Sequence, residues 1–358
     1  MGKPAPKPTW FGTSGNDVKV VASLTELKTT TYDAGAGYDT LDLSALTSGV
    51  SISFSQTTQG RNVTLHSQLW ADTPFHGSWW GMSLQGATDT VDTIKNFEKI
   101  VGTGFNDYIN LSIANVARVA DGGPGDDAIY VGGVGGSNTS LGGLGSDQLF
   151  GSRPADLLIG GTFDGAHATP DNTPDEFFMS GGTVLDFEVG TDHLYIDNEM
   201  MPLAASWIDV NTSYGAAAQL LTAYGTTITL VGVSASTMNS IPAGFTVQSS
   251  SPGDTVTSGP GDDFIWDHAT NVPTTYVFGS GSGHDLLNGI DLNYDTLVFP
   301  DAPTATNTTY HGDPAVLLTF DGGNSSVLLI DVTSADLSHI AMQYPAAAPA
   351  THELLGLA

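Results

Sequence analysis

Residues 122–130 read Gly-Gly-Pro-Gly-Asp-Asp-Ala-Ile-Tyr, and residues 142–150 read Gly-Gly-Leu-Gly-Ser-Asp-Gln-Leu-Phe. Both segments fit one nine-residue pattern in which three glycines and an aspartate precede an apolar residue. Glycines allow the positive φ angles of a tight turn, and the apolar residue two positions after the aspartate begins a short strand that faces the interior. The pattern therefore predicts a solenoid of tight turns and short strands.

The aspartates of the two copies, Asp127 and Asp147, are 20 residues apart. Two nine-residue units make one coil, so turns about 18 to 20 residues apart are expected to stack on the same side of the solenoid. Calcium prefers hard oxygen ligands, which carboxylates and backbone carbonyls supply. We expect a calcium ion between these two turns, and the further site residues are Asp126, Gly123, Gly125, Gly143 and Gly145.

Two degenerate copies of the pattern accompany the complete ones. Residues 132–137 place Ser137 where the aspartate is expected, whereas residues 151–159 keep Asp156 and lose glycines. The spacing predicts that Ser137 and Asp156 share the opposite side of the solenoid. A metal site on that side would be half-degenerate, because only one of its two positions keeps the aspartate.

Looser glycine–aspartate turns occur elsewhere in the chain. Their aspartates, interpreted as calcium ligands, are Asp17, Asp39 and Asp107 upstream and Asp263 and Asp285 downstream. The alternative for each is an ordinary β-turn, and this alternative carries most weight for Asp39 and Asp107.

Composition supports a cation as the partner. The chain carries 38 acidic and 9 basic side chains, a net charge of −29, which excludes nucleic acid because binding to phosphates depends on Lys and Arg. A hydrophobic content of 40% argues against disorder.

The sequence also lacks several features. There is no Cys, hence no disulfide or thiolate site, and no apolar run of about 18 residues that would predict a transmembrane segment. Residues 1–8 lack the apolar core of a signal peptide, so we expect either a cytoplasmic protein or export without a cleaved leader.

Longer segments extend the pattern into a resemblance. Residues 92–103 look like the entry segment of hemolysin-type calcium-binding (RTX) proteins, residues 184–196 resemble the segment that closes an RTX roll, and residues 288–299 are a weaker second version. The resemblance implies calcium as cofactor, an extracellular location and export by a type I secretion machinery that reads an uncleaved C-terminal signal. Residues 346–358 are compatible with such a signal. Folding would then depend on calcium outside the cell.

The predicted fold is all-β, a right-handed parallel β-roll (RTX solenoid) with β-strand caps, in two roll–cap units. The predicted domains are a degenerate roll at 1–120 with a Trp-rich insertion at about 50–90, a roll plus cap at 121–250, and a second RTX-like roll with C-terminal cap and secretion signal at 251–358. Residues 226–233 and 326–332 are predicted cap strands. Residues 249–254 are the predicted linker, and residues 216–221 a short helix.

The Trp-rich insertion contains Trp70, Trp79 and Trp80. One hypothesis is a surface that binds a polysaccharide, because flat aromatic faces suit sugar rings. The alternative is an inserted hairpin whose aromatic side chains pack against the roll. His193 and His284 are interpreted as incidental occupants of repeat positions.

Catalytic signatures of enzymes that carry such repeats are missing. The sequence contains neither His-Glu-x-x-His, typical of zinc proteases, nor Gly-x-Ser-x-Gly, typical of α/β-hydrolases. The favoured function is therefore a non-catalytic structural or adhesive protein of the cell surface or matrix. A polysaccharide-binding module and an enzyme of unrecognised type remain as alternatives.

Overall fold

The computed structural model describes residues 8–57, 60–70, 90–92, 94–111, 118–131, 137–197, 207–222, 225–240, 244–249, 253, 255–267, 272–310 and 313–345. Strands dominate these residues, and most strand pairs are parallel, so the protein is all-β with parallel sheets. None of the helices among them is long and apolar enough to cross a membrane. The chain divides into two compact units, Met1–Phe245 and Thr246–Ala358.

Unit 1 begins with short strands and one helix. These are β1 (Thr9–Phe11), β2 (Val18–Val20), α1 (Leu24–Thr29), β3 (Thr31–Asp33), β4 (Thr40–Asp42), β5 (Gly49–Thr57), β6 (Gly60–Trp70), β7 (Thr90–Asp92), β8 (Ile94–Lys95), β9 (Lys99–Val101) and β10 (Tyr108–Asn110). The helix starts at Ser23, whose side chain accepts a hydrogen bond from the backbone N–H of Glu26.

The repeat region follows. Its strands are β11 (Val119–Pro124), β12 (Ala128–Tyr130), β13 (Thr139–Leu144), β14 (Gln148–Ile159), β15 (Thr162–Phe163), β16 (Ala168–Thr169), β17 (Glu176–Val184) and β18 (His193–Asp197). Unit 1 continues through β19 (Ile208–Thr212), β20 (Gly215–Leu221), β21 (Thr227–Val231) and the helix α2 (Ala235–Met238).

From β9 to β14, successive strands alternate between two rows of parallel pairs, and β1, β3 and β8 form a separate parallel group. Row 1 contains β2, β4, β9, β11, β13, the end of β14, the end of β17, and β21. Row 2 contains β5, β10, β12, the start of β14, the start of β17, and β18. Strands of the predicted ranges 1–120 and 121–250 thus pair continuously.

The apolar residue of each repeat forms the core between the rows. In row 2 the register places Ile109, Ile129 and Leu149 in one line, and all three are fully buried. Their β-branched or apolar side chains suit a half-buried pleated surface, and equivalent positions stack because the strands pair in register. The repeat therefore forms both the strand and its contact with the next coil.

Residues 208–231 form an antiparallel meander, in which β20 pairs with both β19 and β21. The predicted strand at 226–233 is confirmed as β21, but the helix predicted at 216–221 is wrong, because these residues form β20. Alanine favours helices locally, yet here Ala217 and Ala218 are buried between two strand partners. Tertiary pairing outweighs the propensity.

Unit 2 repeats the arrangement on a smaller scale. Its elements are β22 (Gly244–Ser249, which starts at the end of unit 1), β23 (Thr255–Thr257), β24 (Phe264–Asp267), β25 (Thr275–Val277), β26 (His284–Asn288), β27 (Thr296–Val298), β28 (Thr304–Tyr310), β29 (Asp313–Phe320), β30 (Ser325–Ile330) and β31 (Ala341–Gln343). One parallel row contains β22, β24, β26 and β30, and the other contains β23, β25, β27 and β31. Strands β28, β29 and β30 form an antiparallel meander, which confirms the strand predicted at 326–332.

Candidate metal centre

The turns that lead into row 2 each place an aspartate immediately before the strand. The stacked residues, which we call the aspartate ladder, are Asp107, Asp127, Asp147, Asp175 and Asp192. They stack because β10, β12, β14, β17 and β18 pair in register. The predicted placement of Asp127 and Asp147 in neighbouring turns is found in the structure.

Each step of the ladder is one hydrogen bond. Asp127 Oδ1 accepts from the backbone N–H of Asp107 at 2.6 Å, and Asp147 Oδ1 accepts from the N–H of Asp127 at 2.7 Å. The series continues to Asp175 at 2.9 Å and to Asp192 at 3.1 Å. One oxygen of each accepting carboxylate is therefore used to join adjacent coils.

The second carboxylate oxygen is different. Asp127 Oδ2 and Asp147 Oδ2 are buried and accept no hydrogen bond from the described residues. A buried carboxylate oxygen without a partner is costly, because its interaction with water has been lost and nothing replaces it. These two atoms need a positively charged or hydrogen-bonding partner.

A glycine borders each of these oxygens. A Cβ added to Gly142 would collide with Asp147 Oδ2 and with the carbonyl oxygen of Gly160. A Cβ added to Gly122 would collide with Asp127 Oδ2 and would lie 2.7 Å from the carbonyl oxygen of Gly142. The lack of a side chain at the first glycine of each repeat thus allows a carboxylate oxygen and a carbonyl of the next turn to pack closely against its Cα.

These groups fit calcium. Carboxylate and carbonyl oxygens are its preferred ligands, of which it takes about six to eight. No group of three or more His, Cys, Asp or Glu side chains in the described part of the chain could hold a metal ion. A cation here would therefore take backbone carbonyls as well as Asp127 and Asp147.

The remaining glycines shape the turns. Gly143 and Gly145 have φ angles of 120° and 130°, which residues with a Cβ rarely adopt. The predicted site residues Gly123 and Gly125 have the corresponding angles of 100° and 136°. Asp126 lies at the outside of the turn, where its Oδ1 accepts from the N–H of Ser146 at 3.0 Å, so it joins two turns.

Burial dominates the electrostatics of the ladder. It raises the pKa of both Asp127 and Asp147 well above the usual range, and the neighbouring aspartates raise each pKa further. Burial also raises the pKa of Asp107 to about 7 and that of Asp175 to about 8. The described ion pairs, Lys19–Glu26, Lys99–Asp121 and His167–Asp164, do not involve the ladder. Without a cation, the folded ladder favours protonated carboxyls.

The upstream turns differ in how their aspartates are satisfied. Asp107 accepts from the N–H of Val50 and from both the N–H and the hydroxyl of Thr103, so protein donors reach both of its oxygens. Asp39 Oδ1 accepts from the N–H of Asp17 at 2.8 Å, while Asp39 Oδ2 is buried without a hydrogen bond among the described residues. Asp17 is half-buried, and its Oδ2 accepts from the N–H and the hydroxyl of Thr13. Among the upstream predictions, Asp39 most resembles the ladder residues.

The turn that leads into the row 1 part of β14 is closed by amides. Asp156 Oδ1 accepts from the backbone N–H of Asn138 at 3.2 Å, and Asp156 Oδ2 accepts from the N–H groups of Ser152 and Arg153. The pairing of Ser137 with Asp156 is wrong by one residue. Asn138 is buried and Ser137 is exposed, because the loop before β13 places Asn138 directly before the strand.

Unit 2 contains a shorter version of the ladder. Asp285 Oδ1 accepts from the backbone N–H of Asp263 at 2.9 Å, and both side chains are buried. Asp263 Oδ2 accepts from the N–H of Gly259, and Asp285 Oδ2 accepts from the Ser258 hydroxyl at 2.7 Å. The structure therefore brings together the two downstream aspartates predicted from the sequence.

Sequence reasoning missed two ladder members, Asp175 and Asp192. Gly160 and Gly161 begin a repeat turn that is interrupted by the hairpin of β15 and β16, and Asp175 completes it. A Cβ on Gly160 would collide with Asp175 Oδ2, as in the complete repeats. The signal that could have found both aspartates is an apolar residue two positions later, Phe177 and Leu194.

Asp175→Asn is expected to weaken calcium binding and to lower the free energy of unfolding in calcium by about 1–3 kcal/mol, because a buried charged oxygen is lost from the ladder. Urea denaturation at saturating calcium measures this change. Asp164→Asn is the matched control, since Asp164 is exposed in the β15–β16 hairpin. Equal effects of the two substitutions would contradict the role assigned to Asp175.

The side chains of the three tryptophans predicted to bind a ligand are not among the described ones. Trp79 and Trp80 lie outside the described residues, as does the side chain of Trp70, which ends β6. His193 stacks on Tyr195, and the His284 ring bonds the Ser326 hydroxyl at 2.9 Å. Both histidines thus have structural neighbours.

No protein-family model matches the chain, and no curated protein matches it by sequence. Among solved structures, the chain is similar to the crystal structure of the extracellular lipase LipA from Serratia marcescens, at 18% sequence identity and a TM-score of 0.21. The match covers 68% of this chain and 39% of the lipase chain, so the chain spans less than half of that protein's length. A superposition this loose carries no argument about activity.

Proposed function

We propose that the chain is a secreted calcium-binding protein of the RTX type that folds when it binds calcium outside the cell. The observation that supports this proposal best is the pair of buried oxygens, Asp127 Oδ2 and Asp147 Oδ2, which accept no hydrogen bond from the described residues and lie close to a glycine and to a carbonyl oxygen of the next turn. Each unit would be a right-handed parallel β-roll, capped by β19–β21 in unit 1 and by β28–β30 in unit 2.

Calcium would act on folding through the ladder. In the folded chain the ladder carboxylates Asp127 and Asp147 are stacked and buried, so their mutual repulsion is poorly screened. An ion that binds the folded chain and not the unfolded chain stabilises folding by mass action. Calcium is scarce in the cytoplasm, so the chain would remain unfolded and exportable there by a type I secretion machinery, and would fold in the extracellular medium.

The role after folding is proposed to be structural or adhesive, at the cell surface or in the surrounding matrix. The many buried aspartates of the described residues are engaged in holding turns together, as Asp156 and Asp285 show. Light scattering during calcium addition tests this role. Ordered assembly supports it, and a chain that stays monomeric at all calcium concentrations contradicts it.

The central test is far-UV circular dichroism of metal-free protein during a calcium titration at pH 7.5. We expect a cooperative rise of the β signal at about 10⁻⁴–10⁻³ M calcium, the range of extracellular modules, and reversal by a chelator. Magnesium at the same concentration should have little effect, because it prefers a stricter octahedral geometry.

Matched variants connect this transition with the ladder. The double substitution Asp127→Asn, Asp147→Asn is expected to move the midpoint at least about tenfold towards higher calcium, because each lost ligand charge weakens the binding of the ion. Asp164→Asn should leave the midpoint unchanged. A wild-type chain that is folded and indifferent to calcium in chelator at pH 7.5 would exclude the proposed function.

A further inference from the structure

The strand β28, Thr304–Tyr310, forms an exposed edge of unit 2. It pairs antiparallel with β29 along its whole length and with no other strand of the described residues. The register with β29 contains no bulge, and every residue from Thr304 to Thr309 is exposed. One row of backbone N–H and C=O groups is therefore open along this strand. Such a row is a template for pairing with a further strand.

The other edge strands of the described residues are shorter. Those with two or three residues each are β1, β2, β7, β8, β15, β16, β23 and β31. Strand β19 has five residues and includes Asp209, whose carboxylate accepts from the N–H of Ala235. Short length and charged side chains are means by which proteins prevent edge-to-edge pairing. Strand β28 has seven residues and contains neither a charge nor a proline.

The charge of unit 2 indicates which partner fits this edge. Unit 2 contains no lysine or arginine, because the last such residue in the chain is Arg153. Two copies of so acidic a unit repel one another wherever their carboxylates meet. Strand β28 is a neutral stretch between Asp301 and Asp313. A second copy approaches this edge without facing a charge, whereas a basic partner would gain nothing from it.

We propose that β28 pairs antiparallel with β28 of a second copy, about a two-fold axis at Asn307. This register keeps all seven residues paired and joins the β28–β30 meanders of the two copies into one sheet. It places Thr306 opposite Thr308 of the second copy, and cross-strand threonine pairs are favourable. The interface is isologous, so it closes as a dimer. One pair of short strands buries little surface, so the dimer is weak.

The inference deepens the structural role proposed above, and it rests on the proposed function for the folding of unit 2 in calcium. The test is sedimentation velocity of the full chain in saturating calcium, over a series of protein concentrations. We expect the wild type to pass from monomer to dimer as its concentration rises. Circular dichroism of the same samples reports whether each chain is folded.

Matched variants locate the interface. Thr306→Lys with Thr308→Lys is expected to raise the dissociation constant of the dimer at least about tenfold, because like charges then face each other across the axis. Thr255→Lys with Thr257→Lys is the control, since it adds the same charges to exposed threonines of β23 and should leave the constant unchanged. Added lysines lower the net negative charge of the chain, so general repulsion does not explain a loss of dimer.

Two further measurements test the register. Mixing the Thr306→Lys, Thr308→Lys chain with a Thr306→Asp, Thr308→Asp chain should restore a dimer with one copy of each, because opposite charges then meet. The chain has no Cys, so Asn307→Cys introduces a single thiol at the axis. Opposite Cα atoms of antiparallel strands are about 4.5–5.5 Å apart, within the range of a disulfide. We expect Asn307→Cys to form a covalent dimer on oxidation and Thr255→Cys to remain monomeric.

The outcomes separate this inference from the proposed function. If the chain is folded without calcium and still dimerises through β28, only the proposed function fails. If the chain folds in calcium and stays monomeric at every concentration, the structural role and the β28 interface are both overturned. If the wild type dimerises but the two lysine variants dimerise equally, or Asn307→Cys does not cross-link, only the β28 interface is overturned.

Discussion

Gly142→Ala is expected to lower the free energy of unfolding in saturating calcium by about 3–5 kcal/mol, the range of severe core substitutions. The new methyl group would occupy the space between Asp147 Oδ2 and the carbonyl oxygen of Gly160. Gly142 does not have a positive φ angle, so the substitution introduces no backbone strain of its own. The effect therefore reports how closely the Asp147 carboxylate and the Gly160 carbonyl pack against this glycine.

Two measurements check this prediction. Urea denaturation at saturating calcium gives the loss of stability, and a calcium titration followed by circular dichroism gives the shift in midpoint. Gly104→Ala is the matched control, because nothing lies within 4 Å of the added Cβ and its φ angle is also ordinary. We expect a change within about 0.5 kcal/mol for the control. If Gly142→Ala behaves like Gly104→Ala in both measurements, the close packing of Gly142 against the Asp147 carboxylate matters neither to the fold nor to calcium binding.

The complete repeats were predictable because local and tertiary requirements coincide there. In residues 122–130 and 142–150 the second and third glycines allow the turn, the first glycine packs against the aspartate, and the apolar residue two positions after the aspartate fills the core. Each requirement therefore selects a particular residue type at a fixed position of the repeat. The pairing of Asp127 with Asp147 therefore follows from spacing alone.

Other parts of the site could not be predicted, because the repeat pattern assumes a fixed spacing that insertions and loops in the fold change. Asp175 belongs to the turn that Gly160 begins, but the β15–β16 hairpin lies between them. The shift from Ser137 to Asn138 depends on the length of one loop, which the spacing of glycines does not fix. The alanines of β20 become a strand only through their partners on both sides.

The two sides of unit 1 also differ in a way that residue types alone do not show. Asp156 and Asp147 occupy equivalent places in their turns, yet amide groups satisfy both oxygens of Asp156, while Asp147 Oδ2 has no hydrogen bond from the described residues. Backbone donors thus satisfy both carboxylate oxygens of Asp156, whereas Asp147 keeps one oxygen that a cation could bind. We therefore expect the tighter calcium sites of unit 1 along the aspartate ladder.

The metal-free protein is expected to become more stable as the pH falls from about 8 to about 4. Burial raises the pKa of Asp107 to about 7 and that of Asp175 to about 8, whereas an aspartate in the unfolded chain titrates near 3.9. Between these values the folded chain binds more protons than the unfolded chain. Stability is then fully present below about pH 4 and is lost as the pH rises through the folded pKa values, by about 1.4 kcal/mol per pH unit for each such carboxyl.

Calcium should reverse the sign of this dependence. The ion binds the deprotonated carboxylates, so in saturating calcium protons compete with it and stability falls as the pH falls. Urea denaturation at several pH values, with and without calcium, is expected to give two curves of opposite slope that approach one another at acidic pH. Asp175→Asn should flatten the metal-free curve, because it removes one carboxyl that takes up a proton on folding. Parallel curves would mean that protons and calcium act on different groups, and the aspartate ladder would then not be the metal centre.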